Sequence, residues 1–383
     1  MADEFPVPRP FQESAVNKAV AYLNQGKSPL IISPTGSGKT LIFSLVVQRW
    51  NPLGRTLILA PTKETCNQAT RYRWLAERGG RDQWDAQVIV TTPQGAYNNL
   101  QTILKHGKVR LIVSDEAHGA AAFQYGYVIA ALKMQGALNC GVTATPDRLD
   151  GQHLNDGFDV TITATTMEDA IARGDVAEPN MKVYSRSDGT SVIGAPDEIA
   201  QVCYAWWQET RGKMPTILFT PTVAKAQEYA AYLNRYGIAA AVVHGSMPDK
   251  QRKATLAAYS AGRIRLIANA DALTVGADLP TTRCVVLAKG TNSRTKFSQA
   301  TGRGTRPVTD GGENKMLLLN FDYRPSHNLR PEHDGLGQRP PSKRDEKKEK
   351  EWRRVKDMTP KEYWQDRIEQ IRSKRNILDL IDI

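Results

Sequence analysis

The 383-residue chain has only four cysteines, Cys66, Cys140, Cys203 and Cys284, each isolated from the others. Without a C-x-x-C pair they build neither a zinc knuckle nor a disulfide framework, and scattered thiols fit a reducing compartment. Histidine is sparse too, with six in the chain, and none has metal-ligand spacing. No apolar run approaches the ~20 residues needed to cross a bilayer. The opening residues, Met1-Ala-Asp-Glu, are acidic and soon followed by prolines, unlike a signal peptide. No internal repeat is visible. These absences lead to the expectation of a cytoplasmic protein that makes no membrane contact.

What is present is ordinary for a globular protein: 40% hydrophobic and 24% charged residues, with 29 Gly and 21 Pro. The length suggests two domains and an appendage. Lysine and arginine number 51 against 40 acidic residues, a net charge of +11 that favours phosphate-rich partners.

Short apolar, β-rich runs alternate with helical-period segments. The first series is 30–33, 56–60, 87–91, 110–114 and 139–143. The second is 181–184, 216–220, 239–243, 265–268, 283–287 and 315–321. Strands alternating with helices predict parallel sheets covered on both faces, an α/β fold. Two series predict two domains, residues 1–178 and 179–324, joined at the turn-rich stretch Gly174–Asn180. Residues 325–383 differ in character. A Pro/Gly-rich linker leads to residues 343–356, which carry eight basic and four acidic side chains. A helix start then follows at Thr359-Pro360-Lys361-Glu362. Trp364, Ile368, Ile371 and Leu378 fall on one face, suited to packing on the body or to a protein partner.

The first run leads into Ser33-Pro-Thr-Gly-Ser-Gly-Lys-Thr40 and then a helix, the setting of a phosphate-binding loop. Thr35, Gly36, Ser37 and Gly38 would let backbone N–H groups approach the phosphates of a nucleotide. Lys39 would reach the β and γ phosphates, and Thr40 would ligate Mg²⁺. Ser33 stands where the strict pattern has Gly. The run 109–114 ends in Asp115-Glu116-Ala117-His118. There Asp115 suits a Mg²⁺-linked carboxylate and Glu116 the general base that activates water.

The order of these elements resembles a superfamily 2 helicase of the DEAH-box branch, which implies two tandem RecA-like domains. The likeness spans about residues 9–325. Arg9-Pro-Phe-Gln12 is similar to the family's adenine-reading segment, with Arg9 and Gln12 at the base. Pro61 and Thr62, with Thr91 and Thr92, match two segments that grip a nucleic-acid backbone. Thr143-Ala-Thr145-Pro resembles the motif coupling hydrolysis to domain movement, and His118 a bridge to the second domain. Further on, the resemblance assigns Thr220, His244, Gly245 and Thr274 to nucleic acid, and Gly276 and Asp278 to the γ-phosphate and ribose. Gln299-Ala-Thr-Gly-Arg-Gly-Thr-Arg306 fits Q-x-x-G-R-x-x-R, which implies that Gln299, Arg303 and Arg306 are catalytic, the two arginines as fingers. Ala270 replaces the family's usual Thr. The stretch beyond Arg306 is similar to RadD-like and type III restriction-helicase relatives. RadD-like proteins continue into a cysteine-rich zinc module, whereas no Cys follows Cys284.

The resemblance implies an ATP- and Mg²⁺-dependent motor on DNA, coupling hydrolysis to translocation or remodelling in repair, recombination or replication. The T-A-T-P and R-P-F-Q forms resemble DNA-tracking relatives. The alternatives are an RNA helicase, or an ATP-switched clamp or subunit that unwinds nothing alone.

Overall fold

The computed structural model describes residues 5–50, 54–117, 123–144, 158–186, 191–270, 273, 279–289, 300–307 and 313–321. The basic tail, His118, Thr145, Thr274, Gly276, Asp278 and Gln299 lie outside these described residues. Packing divides the chain into two compact units. The first takes described residues up to 33 and from 38 to 165; the second takes those from 166 onward, with 34–37.

Sheet one holds β1 (Pro29–Ile32), β2 (Arg55–Leu59), β3 (Gly79–Arg81), β4 (Val88–Thr91), β5 (Val109–Asp115), β6 (Leu138–Thr143) and β7 (Val160–Thr163). Its seven strands run in the order β3-β4-β2-β5-β6-β1-β7, and all pairs are parallel. The pleat sends alternate residues to opposite layers. In β2, Ile58 packs with Ile42, Phe43 and Val46 of α2 (Lys39–Trp50) and with Val16 of α1 (Pro10–Asn24). Leu57 and Leu59 pack instead with Val128 and Ile129 of α7 (Phe123–Met134). Both faces are covered, which is why the central strands read as unbroken apolar runs.

The second sheet contains β8 (Glu178–Val183), β9 (Thr216–Phe219), β10 (Ala240–Val243), β11 (Leu266–Asn269), β12 (Cys284–Leu287) and β13 (Lys315–Asn320). Its six strands are ordered β10-β11-β9-β12-β13-β8 and all pairs are again parallel. Leu218 and Val286 pack with Trp206 and Tyr229 on one face, while Ile217 and Val285 pack with Tyr259 on the other.

Trp206 and Trp207 sit side by side on α9 (Glu198–Thr210), where both suit core positions from the sequence pattern. One residue turns a helix by about 100°, so they part company. Trp206 is buried and donates its indole N–H to Thr216 Oγ1 at 2.8 Å, whereas Trp207 is 41% exposed beneath the Arg211 guanidinium. All four cysteines are free and buried. Burial pushes each thiol up to about 12, leaving no reactive thiolate at neutral pH. No helix among the described residues is long and apolar enough to cross a membrane.

Candidate functional site

Three neighbouring strands of the first sheet finish level with one another and carry the candidate nucleotide residues. Register pairs Ile32 with Thr143 and Ile31 with Val142, while Asp115 pairs with Val142. The loop after β1, the Thr143 end of β6 and the Asp115–Glu116 end of β5 therefore share the carboxyl edge, where open α/β sheets bind ligands. Ser33 N–H donates to Thr143 O at 2.9 Å, tying the loop's start to β6.

The loop turns tightly. Ser37 donates both its N–H and its hydroxyl to Pro34 O, at 3.2 and 2.6 Å. Gly36 and Gly38 both have φ +87°, a region L side chains avoid. Gly38 also lies against Gln12, where a methyl group would come within 2.6 Å of Nε2. Gln12 is buried, and its Oε1 accepts the Arg9 N–H at 2.8 Å. Its carboxamide therefore links the start of α1 to the loop. Gly38→Ala combines backbone strain with displacement of Gln12, so nucleotide affinity is expected to fall at least tenfold, about 1.4 kcal/mol or more. Titration with a fluorescent ATP analogue checks this, wild-type affinity being the contrary result.

Lys39 opens α2, and its Nζ is 3.8 Å from Glu116 Oε1, with both side chains largely buried. Glu116 has φ +51°, left-handed backbone that is costly for a side-chain-bearing residue. Its N–H turns back to donate to Asp115 Oδ1 at 3.1 Å. Burial pushes the Asp115 carboxyl up to about 7; the Glu116 charge adds to the rise, while Lys39 and the Glu116 N–H oppose it. Tyr125, which no motif marked, donates its hydroxyl to the Asp115 carbonyl at 3.1 Å and so fixes this strand end. Beneath it, Ser114 Oγ donates to Asn139 Oδ1 at 2.8 Å.

A buried carboxylate with raised proton affinity attracts a cation. Among the described residues no group of three His, Cys, Asp or Glu side chains could hold a metal ion. One carboxylate, with the Thr40 hydroxyl in the first turn of α2, is a sparse oxygen set. It suits Mg²⁺, which retains water and phosphate oxygens, better than zinc. Asp115 and Thr40 are the residues here that would offer oxygen ligands to such an ion.

The residues expected at a nucleic acid divide by burial. Pro61, Thr62 and Thr92 are half-buried at the same edge. Thr62 caps α3 (Lys63–Ala69) and Thr92 caps α5 (Pro93–Asn98) through their hydroxyls. Thr91 and Thr220, by contrast, are fully buried with their hydroxyls engaged inside the protein. Thr91 donates to Asp82 at 2.7 Å, and Thr220 to Thr222 O at 2.9 Å. In the second unit, His244 Nδ1 lies 3.0 Å from Ser246 Oγ, and nothing lies within 4 Å of the Cβ direction of Gly245. Arg303 and Arg306 lie in the turns after residue 300, with the Arg303 N–H donating to Ala300 O at 3.2 Å; both side chains are half-buried.

Comparison with known proteins agrees with this layout. Residues 6–148 match the family model "Type III restriction enzyme, res subunit", and residues 197–307 match "Helicase conserved C-terminal domain". The chain is 24% identical to irc3 of Schizosaccharomyces pombe, assigned as a mitochondrial ATP-dependent helicase, over 82% of this chain and 57% of that protein. It is likewise 24% identical to the ATP-dependent rRNA helicase RRP3 of Eremothecium gossypii, covering 83% of this chain and 68% of RRP3. Among the first curated relatives matched, the chain spans between half and 62% of their length. A fragment assigned to the HsdR subunit of a type I restriction enzyme from Vibrio vulnificus YJ016 superposes with a TM-score of 0.68. The identity there is 23%, over 87% of this chain and 68% of the fragment.

Proposed function

Because the chain belongs to the ATP-dependent superfamily 2 helicases, in their type III restriction-like branch, we propose that it is a nucleic-acid-stimulated ATPase that translocates on or remodels DNA. The observation that carries this reading is the level finish of β5, β6 and β1, which collects Lys39, Asp115, Glu116 and Thr143 at one sheet edge. Lys39 holds the β and γ phosphates; Asp115 and Thr40 hold Mg²⁺. That ion, when bound, neutralises charge on the transferring phosphoryl group. Glu116 orients the attacking water and accepts its proton, with Lys39 Nζ 3.8 Å from its carboxylate. Gln12 senses the adenine end and passes its position to Gly38. The type III restriction match over the first unit and the T-A-T-P form at Thr143 support DNA as the track. Contacts to phosphate carry no sequence information, so binding is sequence-independent.

Steady-state ATP hydrolysis with equal lengths of single-stranded DNA, duplex DNA, forked DNA and RNA tests the reading. Stimulation by DNA alone supports it, and the ranking of DNA forms separates a strand tracker from a duplex translocase. Stimulation by RNA alone overturns the choice of track. ATP-dependent binding with no stimulation by any of them makes the protein a clamp.

The raised Asp115 adds a pH signature. A carboxyl pushed up from 3.8 to about 7 binds its proton more tightly in the fold than in the unfolded chain. The fold's advantage at this group is therefore present at acid pH and declines as pH rises from about 4 to 7. Mg²⁺ competes with the same proton. Mg²⁺-dependent nucleotide affinity is expected to rise towards tenfold per pH unit below about 7 and to level off above it. Calorimetry in buffers of differing ionisation heat would show proton release at pH 6 and little at pH 8.5. Equal release at both would count against Asp115 as the ligand.

A further inference from the structure

The short edge strand β3 ends at Arg81, followed by Asp82, beside residues that the family resemblance assigns to nucleic acid. Asp82 has φ +59°, one of three non-glycine residues with positive φ among the described residues. A left-handed residue at a strand end is held by its surroundings, and here three groups hold it. The Asp82 N–H donates to Val90 O at 3.0 Å. Its Oδ1 accepts the buried Thr91 hydroxyl at 2.7 Å, and its Oδ2 lies 3.6 Å from Arg81 Nε. Arg81 Nη1 donates in turn to Asn67 Oδ1 of α3 at 3.1 Å.

One guanidinium is thus aimed by two elements, while its side chain stays 42% exposed. Arginine has five N–H donors in a rigid fork, and these two partners leave donors for a ligand. Gly95 permits the arrangement: a Cβ there would fall on Thr91 Oγ1 and lie 3.6 Å from Asp82 Oδ1. The register Arg81↔Val90 and Leu59↔Thr91 sets Arg81 at the same carboxyl edge as Thr92 and Thr62.

Resting on the nucleic-acid reading above, we infer that Arg81 is a further phosphate-contacting residue on the strand-gripping edge. In this arrangement Asp82, Thr91 and Asn67 are positioning residues that act through it. Thr91 serves the strand from below, by fixing Asp82, and does not touch it. A flexible lysine-like charge would attract phosphate from any direction; a guanidinium fixed by Asn67 and Asp82 offers two parallel donors in one direction.

The test is binding of a fluorescent single-stranded DNA oligonucleotide by the full chain, with a non-hydrolysable ATP analogue, across about 50–200 mM salt. Each phosphate contact contributes about −0.7 to the slope of log K against log salt for single strands. Arg81→Ala is expected to lower that slope by about one contact, so that affinity lost across the range shrinks by about threefold. Arg73→Ala, on α4 (Arg73–Ala76), removes a neighbouring exposed charge and is expected to leave the slope unchanged. Asp82→Gly relaxes the backbone yet deletes the acceptor, and is expected to behave as Arg81→Ala does. Asp82→Asn keeps an acceptor for Thr91 and is expected to bind within twofold of wild type. In the Arg81→Ala background Asp82→Gly should cost nothing further, and a thermal melt checks that each variant folds. An unchanged slope in a folded Arg81→Ala, or additive losses in the double variant, overturns the inference. A wild-type protein without salt-dependent binding overturns the nucleic-acid reading itself.

Discussion

Replacing Glu116 with glutamine is expected to leave nucleotide binding intact while ATP turnover falls by roughly 10²–10⁴, the contribution of a positioned general base. The amide preserves size and the reach to Lys39, so the loop and its phosphate contacts survive. What disappears is the acceptor for the water's proton. The left-handed backbone at Glu116 supports a role in chemistry, since strain of order 1–3 kcal/mol persists where the surroundings over-determine a residue. Glu116→Gly would relax the backbone and raise stability slightly, yet turnover should fall as far as in the glutamine variant. Single-turnover hydrolysis beside equilibrium nucleotide binding measures both halves. Turnover within threefold of wild type in Glu116→Gln would remove Glu116 from the chemistry and leave the water to another group.

Arg55→Met is expected to cost about 3–5 kcal/mol of stability in the first unit, the penalty for breaking a buried charged hydrogen-bond set. Arg55 is buried at the start of β2. Its guanidinium donates to the carbonyls of Ala86, Ile103, Gly107 and Trp84. Two of these belong to the end of α6 (Leu100–Lys105) and the turn after it, where backbone carbonyls have no helical partner. Methionine fills the stem's volume and leaves those acceptors unsatisfied. Desolvation pulls the guanidinium below its ordinary range, though not far enough to lose its proton near neutrality. Calorimetric melting should show a transition about 10 °C lower, at roughly 2–4 °C per kcal/mol for a unit of this size. A shift under 2 °C would mean that water replaces the arginine.

Each run read from the sequence as a strand forms one in the structure, with ends shifted by a few residues. Parallel strands buried on both faces are continuous apolar runs, and that signal is local. The two strands the sequence reading missed, β3 and β7, are the edges of the first sheet. Gly79-Gly80-Arg81 has no apolar side chain to signal a strand, and β7 buries only Ile162 among its four residues. The nucleotide loop and the Asp115-Glu116 pair were legible because their chemistry sits in contiguous residues. Tyr125 and Arg55 were not, because their partners are set by packing across the unit. Burial is likewise invisible at Thr91 and Thr62, two threonines near strand ends that lead into helices: one closes β4 and is sealed inside, the other caps α3 at the edge.

The strand that carries the phosphate loop has its partners late in the chain. Leu30 pairs with Gly141 and Pro29 with Val160, over a hundred residues onward. At ~5–20 residues per second of synthesis, β1 waits roughly 5–25 s on the ribosome before either neighbour exists. The loop strand is therefore held back from its final place until β6 and β7 close around it, and it is an apolar segment that needs shelter in the meantime. The candidate loop's supporting strand is thus completed by residues made more than a hundred positions after it.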